Sequence, residues 1–96
     1  MAIAVSLLSW TDQGIRNIKE FPQRRKAFME LCERHGVKIR EQLMTIGPHN
    51  MLLVIEGSEE ALGTVMISLQ KKGSARSLSM RAMTPETFIN ILEKVD

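Results

Sequence analysis

The side chains able to do chemistry are few and far apart in the chain. His49 sits in the turn Gly47-Pro48-His49-Asn50. An imidazole titrates near neutral pH, so His49 is the one candidate for a general acid or base. Cys32 and His35 are three apart, which puts both on one face of a helix and within reach of one metal ion. Two ligands do not make a metal site, and Phe28 and Leu31 continue the same apolar stripe, so both residues read as core and no metal is expected. Trp10-Thr11-Asp12 closes an apolar run; Thr11 or Asp12 serves most simply as a helix cap, and all three are candidate ligand contacts. Lys38, Arg40 and Gln42 share one parity in an extended stretch, as do Ser77, Ser79 and Arg81 in another. If Leu78 and Met80 face the helices, a cleft lined by Arg40, Gln42, Ser79 and Arg81 would favour a small anion or a carboxylate. Pairing with acids of a neighbouring copy, such as Glu41 or Glu56, is the plainer use of the same charges. There is no phosphate loop, no Cys-x-x-Cys pair and no nucleophile elbow, so no cofactor is expected and no catalytic set is complete.

The elements that position these residues follow from hydrophobic periodicity. Ile3 to Ser9 predicts a strand with no clearly polar face. Thr11 or Asp12 caps a short helical turn through Ile15 and Ile18, and Pro22 suits the first turn of a longer helix. Phe28, Leu31, Cys32 and His35 mark its buried face, and Gly36 ends it. Arg24, Arg25, Lys26, Glu30, Glu33 and Arg34 read as its solvated side. Val37 to Ile46 predicts a half-polar edge strand. Met51 to Gly57 begins with five apolar residues in a row and predicts an inner strand covered on both faces. Ser58 caps a second helix, with Leu62, Val65, Met66 and Leu69 as its stripe and Gly73 as its end. Ser74 to Met83 predicts the fourth strand, and Thr84-Pro85-Glu86 starts a terminal helix with the stripe Phe88, Ile91, Leu92 and Val95.

The order is β-α-β-β-α-β plus a C-terminal helix, which predicts an α+β, ferredoxin-like domain over residues 1–96: a four-stranded antiparallel sheet with its helices on one face. The uncovered face of the inner strands would then be apolar, which soluble monomers rarely tolerate over a large area. We therefore expect a homodimer or higher oligomer in which sheets pack face to face, a dimeric α/β barrel. The competing arrangement has the terminal helix cover the open face of its own sheet. The end of strand one is expected opposite the Gly47–Asn50 turn, so that Trp10–Asp12 and His49 would meet only through a symmetric partner.

Composition narrows the function classes. With 13 basic and 11 acidic residues the net charge is +2, too balanced to argue for nucleic acid. No stretch approaches the roughly 18 apolar residues of a membrane span, so no membrane partner is expected. The single Cys32 forms no internal disulfide and suits a reducing cytoplasm. Seven methionines and four aromatic residues imply adaptable packing.

Trp10-Thr11-Asp12-Gln13-Gly14-Ile15, then Lys19, Pro22 and Arg24, Thr45-Ile46-Gly47-Pro48-His49-Asn50 and Thr84-Pro85-Glu86-Thr87-Phe88 resemble the GYD domain family over nearly the whole chain. The resemblance implies a small bacterial or archaeal domain of dimeric α/β barrel form, and it brings no catalytic residue. The chain departs from the family pattern after Gly47-Pro48, where His49 and Asn50 replace an aromatic residue and an acid. Phe21 stands where a small capping residue commonly precedes the helix proline, a change expected to weaken the cap by about 1 kcal/mol.

Two functions follow as expectations. The first is a non-catalytic oligomeric binding module, for a small anionic metabolite at the sheet face between subunits. The second is a cofactor-free enzyme of the dimeric α/β barrel type, monooxygenase- or isomerase-like, with His49 as acid-base; it rests on fold analogy.

Overall fold

The apolar run Met51–Ile55 becomes an inner strand, and its neighbours are set by register. A computed structural model describes all residues 1–96. In chain order the elements are β1 (Ala2–Trp10), α1 (Asp12–Arg16), a single 3-10 turn (Ile18–Glu20), α2 (Phe21–Arg34), β2 (Lys38–Met44), β3 (Met51–Gly57), α3 (Glu59–Lys71), β4 (Ala75–Ala82) and α4 (Pro85–Leu92). The strands form one antiparallel sheet in the order β2-β3-β1-β4, the ferredoxin-like arrangement. Three hydroxyl caps start helices: Thr11 accepts from the Gly14 N–H, Ser58 from Ala61 and Thr84 from Thr87. At α2 no side chain caps the helix; Glu20 holds the cap position and the 3-10 turn runs directly into Phe21 and Pro22.

One core lies between the sheet and α2 and α3. Leu8, Leu53, Ile55 and Val65 are at most 1% exposed and Phe28, Leu31 and Cys32 close over them. Burying each large aliphatic side chain contributes about 1.5–3 kcal/mol. Ser6 is the one buried polar residue, and its hydroxyl meets that of Ser79 at 2.8 Å. Cys32 is expected in this core and lies there, but His35 does not join it. His35 occupies the C-terminal cap of α2, exposed, because the helix ends one residue earlier.

The other sheet face stays open. Leu43, Leu78 and Met80 are 53%, 58% and 51% exposed, and Ile3, Val5, Leu7, Leu52 and Val54 are half-buried beside them. The terminal helix α4 does not fold back over this surface. Phe88, Ile89 and Leu92 remain more than half exposed. The radius of gyration is 14.8 Å, against about 12.5 Å for a compact chain of this length. No helix is long and apolar enough to cross a membrane.

Candidate functional site

The end of β1 is tied by hydrogen bonds to two other parts of the chain. Thr11 is bonded in both directions: its N–H donates to the Ser74 carbonyl at 3.1 Å and its hydroxyl donates to the Gly73 carbonyl at 2.6 Å, while the hydroxyl oxygen caps α1. A Cβ on Gly14 would come within 1.9 Å of the Ser74 carbonyl oxygen, so only glycine admits this approach. Gly73 has a φ of +79°, which turns the chain from α3 into β4 and aims its carbonyl at Thr11. The Trp10–Gly14 motif is therefore a joint between the start of the first crossover and the end of the second. Asp12 is exposed in the first turn of α1, with no ion pair.

The turn at Gly47–Asn50 lies at this same end, not at the opposite one. In an antiparallel pair the end of one strand adjoins the start of the other, and Leu8 pairs with Met51. The Trp10 N–H donates to the Asn50 side-chain carbonyl at 3.0 Å, and the Asn50 N–H donates to the Leu8 carbonyl at 2.7 Å. The His49 Nδ1 is 3.2 Å from the Ser9 hydroxyl. Asn50 thus ties the turn to β1 within one subunit. His49 and Ser9 form a hydroxyl–imidazole pair that no carboxylate completes, and neither residue lines any of the four main clefts.

The remaining polar candidates are divided by the pleat. Ser79 pairs with Ser6 and Arg81 with Ala4, both on the helix-covered side. Leu78 and Met80 therefore point away from the helices, the reverse of the expected parity. Arg81 reaches Glu59 at 2.6 Å and Ser77 accepts from Gln70 at 2.9 Å, so the polar positions of β4 serve the flank of α3. In β2 a bulge between Ile39 and Glu41 breaks the alternation. Gln42 faces the helices, whereas Arg40 meets Glu56 at 3.3 Å across the open face, in a shallow groove at the root of α4. Arg40, Gln42, Ser79 and Arg81 do not form one cleft.

A cleft does open on the helix side, above the core and beside the joint. Its floor is Leu8, Leu53 and Phe28, its wall is Trp10 standing edge-on to Phe21 at 5.8 Å, and Arg25, Gln42 and Lys72 stand at its mouth. Its accessible volume is about 50 Å³. Of the sequence candidates it gathers Trp10 and Gln42. Phe21, Arg24, Arg25, Leu69 and Lys72 were not among the candidates. For the arginines a signal existed: extending the stripe of Phe28 backwards by three, four and seven residues gives Arg25, Arg24 and Phe21. Cys32 lies deeper in the core, where burial pushes its thiol up to about 11 and keeps it protonated and unreactive. No group of three or more metal-binding side chains occurs.

The GYD domain profile matches residues 5–92, and the chain belongs to that family. A curated relative, the glutamine synthetase and cystathionine beta-lyase binding protein of Thermus thermophilus, is 27% identical over 85 residues, covering 86% of this chain and 90% of that protein. Two solved structures share the fold. One, provisionally assigned as a glycine cleavage system transcriptional repressor, aligns at a TM-score of 0.53 and 15% identity over 86% of this chain, which spans 46% of that longer protein. The other, the de novo designed protein Ferredog-Diesel, aligns at a TM-score of 0.53 and 18% identity, covering 83% of this chain and 84% of that one.

Proposed function

We propose that this GYD-family chain is a non-catalytic binding module that assembles with a second copy of itself through the open face of its sheet. The observation that carries the reading is the one-sided sheet. β1, β3 and β4 present Ile3, Val5, Leu7, Leu52, Val54, Leu78 and Met80 on a face that no element of the chain covers. Contiguous apolar area of this kind marks an interface. The stripe of α4 is unpartnered as well, and a twofold partner would cover both surfaces at once. Arg40 is the only one of the anticipated anion ligands on this face and is already paired with Glu56, so the face suits assembly better than a metabolite. The Thermus relative is named for binding two enzymes, which agrees with a binding role for a chain without a complete catalytic set. The enzyme reading retains a single contact, between Ser9 and His49, outside the four main clefts. The buried thiol of Cys32 suits a reducing cytoplasm.

The test is light scattering on the wild type and on the paired substitution Leu78→Asp, Met80→Asp. A dimer or larger species that becomes a folded monomer in the variant supports the reading. Unchanged mass in the variant contradicts it.

A further inference from the structure

We propose that the cleft beside the joint binds a short aliphatic carboxylate, with its tail against the half-buried Trp10, Phe21 and Leu69 and its carboxylate held by Arg25 and Lys72. This rests on the reading of the chain as a binding module, but not on its assembly, because the cleft lies on the helix side of the sheet.

Shape, polarity and charge agree. One water needs about 10–15 Å³ of accessible space, so a cleft of about 50 Å³ takes a few water-sized groups, a tail of three or four carbons. Most of the lining is apolar, with Trp10, Phe21 and Leu69 half-buried along it above the closed core, and it offers such waters few partners. Arg24, Arg25 and Lys72 all line the cleft, and no acidic residue does. Arg24 is engaged: it donates to the Asn17 carbonyl at 2.8 Å and to Gly14 at 3.5 Å, and lies 3.9 Å from Glu20. Arg25 gives only its Nε–H, to Gln42 at 2.9 Å, which leaves its terminal nitrogens for a ligand and fixes the guanidinium at the mouth. Lys72 pairs with no acid. An uncommitted guanidinium edge and an ammonium group lining one mostly apolar cleft select a carboxylate with an apolar tail.

Trp10, the only tryptophan, is the reporter. Its fluorescence is followed while acetate, butyrate, pentanoate and hexanoate are added, and then the alcohols of matching length. Affinity rises about fourfold per methylene until the tail outgrows the cleft, and alcohols bind about tenfold more weakly because they lack the charge-assisted bonds. Arg25→Gln and Lys72→Gln each weaken carboxylate binding severalfold and leave the alcohols unchanged. Leu69→Phe fills the cleft and removes binding of both. The inference is overturned by equal binding of alcohols and carboxylates, by wild-type binding in Leu69→Phe, or by no saturable response in protein shown folded by circular dichroism. Light scattering on the same samples separates the two readings. Lost binding with assembly intact contradicts this inference alone, and lost assembly with binding intact contradicts the proposed function alone.

Discussion

The two faces of this sheet use similar residues to opposite ends. On the helix side Leu8, Leu53 and Ile55 are at most 1% exposed, locked under α2 and α3. On the open side Leu43, Leu78 and Met80 stay more than half exposed. In the inner strands β1 and β3 leucine follows leucine, Leu7 before Leu8 and Leu52 before Leu53, so side-chain chemistry there does not distinguish the faces. What distinguishes them is whether the chain's own helices reach that far. One face holds the monomer together, and we assign the other to a second copy.

The difference can be broken from either side. The largest effect is expected for Leu53→Ala, which leaves a cavity in the packed face and costs about 2–5 kcal/mol in urea unfolding. Leu78→Ala should cost the isolated monomer no more than about 0.5 kcal/mol, as exposed positions do; equal costs at both positions would erase the contrast. Gly14→Ala comes next. Alanine normally favours a helix over glycine, but here its methyl group would strike the Ser74 carbonyl, so we expect a loss of about 1–3 kcal/mol. A thermal melt that shows stabilisation would refute the close approach. Thr11→Ala removes the α1 cap and the bond to Gly73 together, for about 1 kcal/mol.

A further effect is a slope with pH. The folded chain holds the Cys32 proton to about 11, whereas the unfolded thiol releases it near 9.0. The unfolded state therefore binds fewer protons in that interval. The thiol's contribution is complete below 9 and declines as pH rises towards 11. Unfolding free energies of the wild type and Cys32→Ala, measured across that window, should converge as pH rises. Parallel curves would mean that the thiol is not desolvated.

Much of the fold was legible in local chemistry. Thr84-Pro85-Glu86 and Ser58 begin helices where their capping groups say they should, and the run Met51–Ile55 is an inner strand. The faces were harder to read, for two physical reasons. Hydrophobicity alone would turn Leu78 and Met80 of β4 towards the helices. At a sheet edge, Ser77 and Arg81 instead reach the polar flank of α3 and the apolar pair turns outward. In β2 the bulge at Arg40 shifts every later residue to the other face, and a bulge shows in pairing rather than in composition.

The site was legible only in fragments. Trp10 and Gln42 are candidates in the sequence and do share the cleft, whereas Arg25 looks solvated until the stripe of α2 is extended back to Phe21. Trp10 and Asn50 are neighbours, contrary to the expectation that they lie at opposite ends. Antiparallel register dictates it, since the turn before β3 must adjoin the end of β1.

The central claim is that the open face exists to be covered by another copy. Sedimentation equilibrium of the wild-type chain at micromolar concentration tests it most directly. We expect a mass of two chains or more, reduced to one chain by Leu78→Asp with Met80→Asp. A wild-type chain that sediments as a single folded species of 10.9 kDa would contradict it.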